Sequence, residues 1–372
     1  MKRLYKRIIY FFSTFPEKAE FIKTFFAEWI AIFRKRPLYK DIKWTKEQQQ
    51  EFDNFWKANY GKKISNRWHR LYEACTGVHR IDYFPESLFT LYFEPKANDI
   101  QYGAVFSNKN LTSLFFNNRI ENVRTPDVYV FNSYGLYYDA HHHLISKGHA
   151  ISLVSNIGEA VIKPSVDSSS GENVVMLNMK DGINLKDGKT ASELFELYKA
   201  NFIIQEKIKQ HKQLSDLYSK AVNTLRITTY IVDGKVGVVP ISLRIGSNGG
   251  EVDNIHAGGI GVYVQNDGTL AKYAYKLGYG DHFEKVTEHP DTGTAFDGYK
   301  LDYVPEIIAA AKSLHELVAN LRVISWDFTV DENGNIIVIE ANFRGQGVWF
   351  PQMISGKGLF GDDTKQILRS MR

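Results

Sequence analysis

The segment SWDFTVDENGNIIVIEANFRG, residues 325–345, constrains the fold of this chain more than any other stretch. Val, Ile and Phe residues flank Asn333-Gly334, and this pattern predicts two strands joined by a two-residue turn. In that register Glu332 pairs with Asn335, which places Asp327 directly opposite Glu340. Asn342 lies two residues beyond Glu340, so its side chain points to the same face of the sheet.

Two opposed carboxylates repel each other, because their Cβ atoms are only about 5 Å apart. The arrangement therefore predicts a positive partner between Asp327 and Glu340. Two acids and one amide are hard oxygen ligands, and such ligands suit Mg²⁺ that bridges to substrate phosphates. The alternative interpretation is a solvated hairpin with scattered surface acids, and the hairpin alone leaves both interpretations open.

Length and composition restrict the class of protein. A chain of 372 residues can bury a large core and form two or three lobes. Its 44% hydrophobic and 24% charged residues are typical of soluble globular proteins. The single cysteine, Cys75, excludes a disulfide framework and indicates a reducing compartment, so we expect a cytoplasmic protein. No apolar run is long enough to cross a bilayer, and the basic start lacks a signal-peptide cleavage site.

The positive charge of the chain is concentrated at its start. Residues 1–40 contain ten Lys or Arg and three Asp or Glu residues, whereas the whole chain carries a net charge of only +4. This distribution argues against a nucleic-acid-binding surface spread over a domain. Apolar residues recur there at helical spacing, namely Ile22, Phe25, Phe26, Trp29, Ile30 and Phe33. Residues 1–40 are therefore either a packed or self-associating helix, or a basic amphipathic element at the inner face of a membrane.

From about residue 100 the pattern changes to strands that alternate with short helices. The predicted elements are a further surface helix at 45–61, a strand–loop–strand at 158–179, a strand from 202, a hairpin around Asp233-Gly234 within 223–246, and an amphipathic helix at 304–321. These elements predict a helical N-terminal region over 1–100, a first lobe over 101–210 and a second lobe over 211–372.

One loop has the outline of a phosphate cradle. Lys163 ends an apolar strand, and the loop Asp167-Ser168-Ser169-Ser170-Gly171 follows it. A lysine beside a loop rich in hydroxyl and backbone N–H groups suits a phosphate group. The loop does not match the P-loop pattern, and taken alone its sequence favours a plain hairpin loop.

The order of these motifs resembles the ATP-grasp superfamily, and in particular the sugar-transfer-associated ATP-grasp family, which is found with bacterial polysaccharide genes. The similar segments are PESLFTLYFEPKAND, SNKNLTSLFF, IIQEKIKQH, NTLRITTY, LRIGSNGGEVDNIHAGG and IEANFRG, within roughly residues 85–355. The resemblance implies an α+β, ATP-grasp fold, in which two α+β lobes clamp ATP. Here a helical N-terminal extension stands where many members have an α/β domain.

The resemblance also implies roles for individual residues. The residues that would contact ATP are Lys109, Lys163, Ser168, Ser169, Ser170, Gly171, Gln205, Glu206, Lys207, Ile208 and His211. Lys109 and Lys163 would bind the phosphates, and residues 168–171 would cover them. Residues 205–208 would read the adenine edge, and Glu206 or His211 would hold the ribose. Lys163, Arg226 and Arg244 would be catalytic, and Asp327, Glu340 and Asn342 would hold two Mg²⁺ ions. The acceptor end would be formed by Arg244, Asn254, Gly258, Gly259 and Arg344.

The activity implied by the resemblance is an ATP-dependent carboxylate–amine ligase that works through an acyl phosphate. Its partners would be ATP, a carboxylate and an amine, for example a uronic acid of a cell-surface polysaccharide and an amino acid. A kinase on the same scaffold is one alternative, and a non-catalytic partner of a membrane glycan assembly is another. We expect no nucleic-acid partner.

Overall fold

The computed structural model describes residues 2–166, 173–277, 283–318 and 320–372, with side chains from residue 18 onward except that of Ile100. The chain forms two compact units. The N-terminal unit combines Met1–Asn98 with Gly345–Arg372, and the central unit is Asp99–Arg344. The C-terminal segment, which the sequence assigned to the second lobe, therefore clusters with the N-terminal helices, and the lobe boundary near residue 210 stays a prediction.

The α-helices are numbered in chain order. They are α1 (Lys2–Arg34), α2 (Arg36–Tyr39), α3 (Lys46–Tyr60), α4 (Arg67–Thr76), α5 (Glu86–Leu88), α6 (Glu94–Ala97), α7 (Ile100–Phe106), α8 (Thr112–Phe116), α9 (Lys147–Val154), α10 (Ala191–Tyr198), α11 (Lys212–Ser215), α12 (Val304–Glu316), α13 (Trp349–Ser355) and α14 (Thr364–Ser370). Short 3₁₀ turns occupy Lys109–Leu111, Ile255–Ala257 and Gly361–Asp363, and a π turn occupies Phe89–Phe93.

The strands are β1 (Val123–Arg124), β2 (Val128–Ser133), β3 (Leu136–Asp139), β4 (Leu144–Ile145), β5 (Gly158–Pro164), β6 (Val175–Lys180), β7 (Ile183–Asn184), β8 (Phe202–Glu206), β9 (Thr224–Val232), β10 (Lys235–Val238), β11 (Ile241–Ile245), β12 (Ile260–Val264), β13 (Leu270–Leu277), β14 (Phe283–Val286), β15 (Val323–Val330) and β16 (Ile336–Asn342). All of them lie in the central unit.

Aromatic side chains form the core of the N-terminal unit. The α3 residues Phe52 and Trp56 are fully buried, as are Tyr72 and Phe84. Helix α3 begins with a capping box at Thr45, which satisfies backbone N–H groups of its first turn. Its exposed face is polar, so α3 is the surface helix predicted over 45–61.

Two buried glutamates fix the returning C-terminal segment inside the same unit. The backbone N–H of Val348 donates to Glu86 at 2.8 Å, and that of Gln346 donates to Glu94 at 2.9 Å. Burial raises the pKa of Glu86 well above its ordinary value. Each carboxylate thereby satisfies backbone donors that would otherwise be buried without a partner.

Helix α1 exposes an apolar face. Ile32 on its inner side is only 6% exposed, whereas the large apolar side chains elsewhere on the helix are 40–56% exposed. These exposed residues are Phe21, Ile22, Phe25, Phe26, Trp29, Ile30 and Phe33. Within the part of the chain that the structure describes, no helix has the length and apolar character needed to cross a membrane.

Two sheets build the central unit. One is a seven-stranded sheet of order β4-β3-β2-β8-β5-β6-β7, and the other is a nine-stranded sheet of order β1-β16-β15-β9-β11-β12-β13-β14, with β10 paired to β9. Helix α12 contributes Ile307 and Leu314 to the core of the nine-stranded sheet. The predicted hairpin within 223–246 is confirmed, because β9 and β10 pair around Asp233-Gly234, both with left-handed φ.

The hairpin predicted within residues 325–345 is confirmed, but its turn is one residue longer than predicted. Asp331 N–H donates to Asn335 O at 3.0 Å, so the loop comprises residues 332–334. Only Gly334 in this loop has a left-handed φ (+88°), whereas a two-residue Asn-Gly turn needs it at Asn333 as well. The Asp331 carboxylate accepts the N–H groups of Asn333 and Asn335 at 3.0 and 2.9 Å, and these bonds stabilise the longer loop.

A bulge in the hairpin compensates for the longer turn. Phe328 pairs with Val338, but the next pair is Asp327 with Glu340, which leaves Ile339 as the extra residue on β16. The two one-residue shifts cancel. Asp327 therefore lies opposite Glu340, as the sequence predicted.

Candidate functional site

A row of polar side chains crosses the nine-stranded sheet. Across neighbouring strands Glu340 pairs with Asp327, Asp327 with Arg226, and Arg226 with Ser242. Residues opposite one another in adjacent strands lie on the same face. The sheet register therefore brings the predicted metal-binding carboxylates to the same place as the first predicted arginine.

Asp327 is the centre of this row. It is only 2% exposed, and Arg226 holds it through Nε–Oδ1 at 2.5 Å and Nη2–Oδ2 at 2.9 Å. Nη2 of Arg244 reaches the same Oδ2 at 2.9 Å. Burial would raise the pKa of Asp327, but the two guanidinium groups outweigh it, and the pKa lies below its ordinary value. Asp327 is therefore a carboxylate that orients both arginines.

The same bonds leave one nitrogen of each guanidinium available. Arg226 uses Nε and Nη2 for Asp327, and Arg244 uses Nε and Nη2 for Asp327 and Thr224. Among the residues that the structure describes, none forms a hydrogen bond or ion pair with Nη1 of either arginine. A planar guanidinium held on one edge presents its other donors in a fixed direction, which suits phosphate or carboxylate oxygens.

Two lysines approach Glu340 from the seven-stranded sheet. Lys109 Nζ lies 3.1 Å from Glu340 Oε1, and its backbone N–H donates to Ser165 O at 2.9 Å, just beyond β5. Lys163, on β5 itself, is 8% exposed. Burial lowers the pKa of Lys163 to about 8, with the Glu340 carboxylate acting in the opposite direction and Lys109 in the same direction. Both predicted phosphate-binding lysines therefore lie beside the hairpin carboxylates.

Asp253 and Thr224 belong to the site although the sequence did not indicate them. Nε of Arg244 lies 3.5 Å from Asp253 Oδ2, and the Thr224 hydroxyl donates to the same carboxylate. Burial raises the pKa of Asp253, against the effect of Arg244. Thr224 lies two residues before Arg226 on β9, so strand periodicity could have predicted that both side chains lie on the same face of the sheet. Asp253 lies in a loop, where no pattern points to it.

The residue types fit Mg²⁺ in part. Asp327, Glu340 and Asn342 offer carboxylate and amide oxygens, the donors that Mg²⁺ prefers. Both carboxylates have cationic partners here, and among the described residues no group of three His, Cys, Asp or Glu side chains could hold a metal ion. Water and ligand phosphates would have to complete the coordination. The metal-binding role of these residues stays a prediction.

The predicted adenine-binding segment leaves the end of β8. Gln205 is 7% exposed and pairs with both β2 and β5, and Ile208 is also buried. Lys207 is turned toward Glu159, with Nζ–Oε1 at 2.6 Å. The backbone of residues 209–211 then runs beside the hairpin turn, because Lys209 O accepts the N–H of Glu332 at 2.8 Å.

The two predicted ribose-binding residues have protein partners. Glu206 forms an ion pair with Arg124, which also contacts Asp331 at 3.0 Å. His211 accepts the Gln213 N–H through Nδ1 at 3.3 Å, and its Nε2 lies 3.3 Å from the Tyr303 hydroxyl. Arg124 is a second residue that the sequence did not indicate, and it joins the end of the seven-stranded sheet to the hairpin turn.

The remaining predicted residues lie in the loop that contains Asp253, are exposed, or fall outside the described chain. Asn254 begins a 3₁₀ turn by accepting the His256 N–H at 2.8 Å, and Gly258 ends it with a φ of +97°. A Cβ at Gly259 would come within 2.5 Å of Asp253 O, so this position requires glycine. Arg344 is exposed. Ser168, Ser169, Ser170 and Gly171 lie outside the described residues.

The chain is similar to one known protein family and to several solved structures. The model of the family described as sugar-transfer associated ATP-grasp matches residues 88–368. No curated protein matches. Among solved structures, D-alanyl-alanine synthetase A from Vibrio cholerae is 14% identical, with 73% of this chain and 65% of that chain covered and a TM-score of 0.41.

Two further solved structures are similar at the same level. Biotin carboxylase from Campylobacter jejuni, in complex with β,γ-ATP, is 13% identical over 72% of this chain and 46% of that chain, with a TM-score of 0.40. N5-carboxyaminoimidazole synthetase from Staphylococcus aureus, in complex with ADP, is 11% identical over 60% and 41%, with a TM-score of 0.34. The chain thus spans between 41% and 65% of the length of these three structures.

Proposed function

Because the chain belongs to the sugar-transfer-associated ATP-grasp family, we propose that it is an ATP-dependent ligase that joins a carboxylate to an amine. Its two-sheet α+β central unit and N-terminal helices agree with the ATP-grasp fold expected from the sequence. The observation that supports the proposal is the cluster of Lys109, Lys163, Arg226 and Arg244 around two opposed carboxylates. Phosphoryl transfer requires such positioning and positive charge.

In the proposed reaction, an oxygen of the substrate carboxylate attacks the γ-phosphorus of ATP, and the bond from that phosphorus to the bridging oxygen of ADP breaks. The amine then attacks the acyl carbon, the C–O bond to phosphate breaks, and the amine loses a proton. The products are an amide, ADP and inorganic phosphate. Mg²⁺ bound near Asp327, Glu340 and Asn342 would offset negative charge on the phosphates.

Each cationic residue has a distinct task in this scheme. Lys109 and Lys163 bind phosphate oxygens from the side of the seven-stranded sheet. Arg226 and Arg244 direct Nη1 toward the transferring phosphate, and Asp327 keeps both guanidinium groups in place. A planar, permanently charged fork binds phosphate through two hydrogen bonds, whereas a lysine acts as a point charge.

The family description, sugar-transfer associated, supports a sugar-linked substrate for the proposed ligase. We place the acid or the amine in a cell-surface polysaccharide or its precursor, with a uronic acid and an amino acid as the first pair to test. The assay measures ADP and inorganic phosphate with ATP, a uronate and a panel of amino acids. Amine-dependent release of both products supports the ligase. Phosphate retained on the acid or on a sugar hydroxyl would instead identify a kinase, and no turnover with any pair would contradict the proposal.

The buried ammonium group of Lys163 leads to a prediction about pH. Its pKa of about 8 means that the group loses its proton at lower pH than an ordinary lysine. ATP affinity should therefore fall as pH rises above about 8, by up to about tenfold per pH unit. Lys163→Arg stays charged throughout and should give a flat profile. Calorimetric titration with ATP between about pH 7 and about pH 9 checks this; equal profiles for both proteins would contradict it.

We also propose that residues 1–40 hold the protein at the inner face of an anionic membrane. The exposed aromatic face of α1 and the basic residues around it are typical of helices that lie in the membrane interface. Self-association through this face would bring two strongly positive segments together, which electrostatic repulsion disfavours. The apolar face would therefore be covered by lipid.

The membrane proposal predicts a specific loss of vesicle binding. Phe26→Ser combined with Trp29→Ser should weaken partitioning onto vesicles that contain phosphatidylserine by about tenfold or more, because each buried large apolar side chain contributes about 1.5 kcal/mol or more. The matched control is Leu185→Ser with Leu197→Ser, which removes two exposed leucines of the central unit. Vesicle sedimentation measures both pairs. Equal losses of vesicle binding in both pairs would contradict the proposal. So would a dimer that forms without lipid and is dissociated by Phe26→Ser.

A further inference from the structure

A groove on the N-terminal unit lies outside the proposed catalytic cluster. It is open to solvent and has a volume of about 880 Å³ beside α3 and the segments on either side of it, within the usual size range of ligand sites. Its basic lining residues are Lys43, Lys46, Lys57, Lys63 and Arg70, and its one carboxylate is Asp53. Five cations against one carboxylate give the groove a formal net charge of +4, so it suits an anionic ligand.

The helical spacing of α3 explains the polar character of the groove. Lys46, Gln50, Asn54 and Lys57 are separated by four, four and three residues, so they form one face of the helix. The opposite face contributes Phe52 and Trp56 to the core. One amphipathic helix therefore supplies both the core contacts of the unit and the polar wall of the groove.

Some charged residues of the groove have partners within the protein, whereas others do not. Asp53 accepts Lys63 Nζ at 2.5 Å and Gln49 Nε2 at 2.9 Å, so the single carboxylate is already neutralised. Arg70 donates to backbone carbonyls, among them that of Ile42 at 2.7 Å. Lys43, Lys46 and Lys57 form no ion pair within the described part of the chain, and all three are exposed. These three ammonium groups are therefore available to a ligand.

The wall also contains groups that a simple polyanion does not need. Gln50 and Asn54 are exposed amides, and an amide offers both a donor and an acceptor, as hydroxyl groups require. Trp44 lines the same groove with its indole ring fixed, because Nε1 donates to Glu73 at 2.7 Å. Its ring gives an apolar surface of the kind that packs against the C–H face of a sugar ring.

From these observations we infer that the groove binds a carboxylate-bearing oligosaccharide. The ammonium groups of Lys43, Lys46 and Lys57 pair with successive carboxylates, the amides of Gln50 and Asn54 bind hydroxyl groups, and Trp44 supports a sugar ring. The identity of the ligand rests on the proposed ligase function, in the form in which a uronic acid of the polysaccharide is the carboxylate substrate. The groove would retain the polymeric substrate of the central unit. A single-stranded nucleic acid is disfavoured, since base stacking requires several accessible aromatic faces and the groove has one ring.

The experiment uses the full-length protein without ATP and measures binding of tetragalacturonate by calorimetry, with maltotetraose as the uncharged probe. Tetragalacturonate should bind at least about tenfold more tightly than maltotetraose, which corresponds to about 1.4 kcal/mol. Lys46→Glu combined with Lys57→Glu should lower its affinity about tenfold or more, since two attractive contacts become repulsive. Both positions are exposed. A carboxylate at position 46, in the first turn of α3, suits the helix dipole, whereas one at position 57, in the last turn, costs only about 0.3–1 kcal/mol, so the variant should fold.

Two further variants decide whether the effect is specific. Lys235→Glu combined with Lys300→Glu makes the same change in net charge at exposed positions of the central unit and should leave binding unchanged. Gln50→Ala combined with Asn54→Ala should weaken binding of tetragalacturonate but not of an oligothymidylate of equal charge. The inference is overturned if tetragalacturonate does not bind, if the charge control weakens it equally, or if the oligothymidylate binds as tightly and the amide variant changes neither ligand.

Failure of this inference is separable from failure of the ligase proposal. ADP release with monomeric galacturonate and an amine tests the central unit alone, and the Lys46→Glu/Lys57→Glu variant should leave it unchanged. Loss of the preference for oligomeric over monomeric uronate in that variant, with turnover of the monomer intact, would support the groove as the place where the polymer binds.

Discussion

Replacing Asp327 by asparagine should lower the free energy of unfolding by about 3 kcal/mol, the lower end of the range for breaking a buried ion pair. The carboxylate is 2% exposed and binds both Arg226 and Arg244, so its removal leaves Arg226 without its counter-ion and leaves Arg244 with Asp253 alone. The lower end applies because the arginine side chains are 28% and 19% exposed, and water offsets part of the loss. Urea unfolding monitored by tryptophan fluorescence measures the change.

The control for this prediction is Asp297→Asn, the same chemical change at an exposed position of the central unit. It should alter the free energy of unfolding by no more than about 0.5 kcal/mol. The pKa of Asp327 is lowered in the folded protein, so its stabilising contribution is present above the unfolded-state pKa and is lost as pH falls through the folded-state value. Equal effects of the two substitutions would show that the arginines do not depend on Asp327.

The second large effect concerns nucleotide binding. ATP at one hundred times its Kd stabilises a folded protein by about 2.7 kcal/mol, and the stabilisation of this protein should require Mg²⁺. Glu340→Gln should abolish the Mg²⁺-dependent part, because an amide is a far weaker ligand for Mg²⁺ than a carboxylate. Thermal unfolding of both proteins with ATP, with and without Mg²⁺, measures the difference.

Glu332→Gln provides the matched control, since it makes the same change at an exposed position of the same hairpin. It should keep the full response to ATP and Mg²⁺. If Glu340→Gln also kept it, Glu340 would serve only as the ion-pair partner of Lys109. The metal would then have to be held by other residues.

Strand periodicity made much of the central unit predictable. Alternating apolar residues and the Asp233-Gly234 turn identified β9 and β10. The same pattern in residues 325–345 identified β15 and β16. The pairing of Asp327 with Glu340 was also predictable. It was correct for a reason that the pattern did not reveal, because a longer turn and a bulge at Ile339 cancel each other. The longer turn depends on hydrogen bonds of the Asp331 side chain, and the bulge depends on the local hydrogen bonds around Ile339. Residue spacing does not encode either of them.

Contacts between segments distant in sequence were not predictable. Arg124 binds both Glu206 and Asp331, which lie 82 and 207 residues further along the chain. No periodicity connects such residues, since their proximity results from the packing of the two sheets. The ion pair between Lys109 and Glu340 is of the same kind, and only the resemblance to a family suggested that these two residues act together.

The chain path through the two units has a consequence for dissection of the protein. The polypeptide leaves the N-terminal unit after Asn98 and returns to it at Gly345, so the central unit is an insertion within another unit. Removing residues from either chain end therefore damages the N-terminal unit alone. A truncation meant to delete the N-terminal extension would leave α13 and α14 without the helices they pack against. The informative cut is an internal one. Excision of residues 99–344 would isolate the central unit, and a short linker from residue 98 to residue 345 would preserve the N-terminal unit.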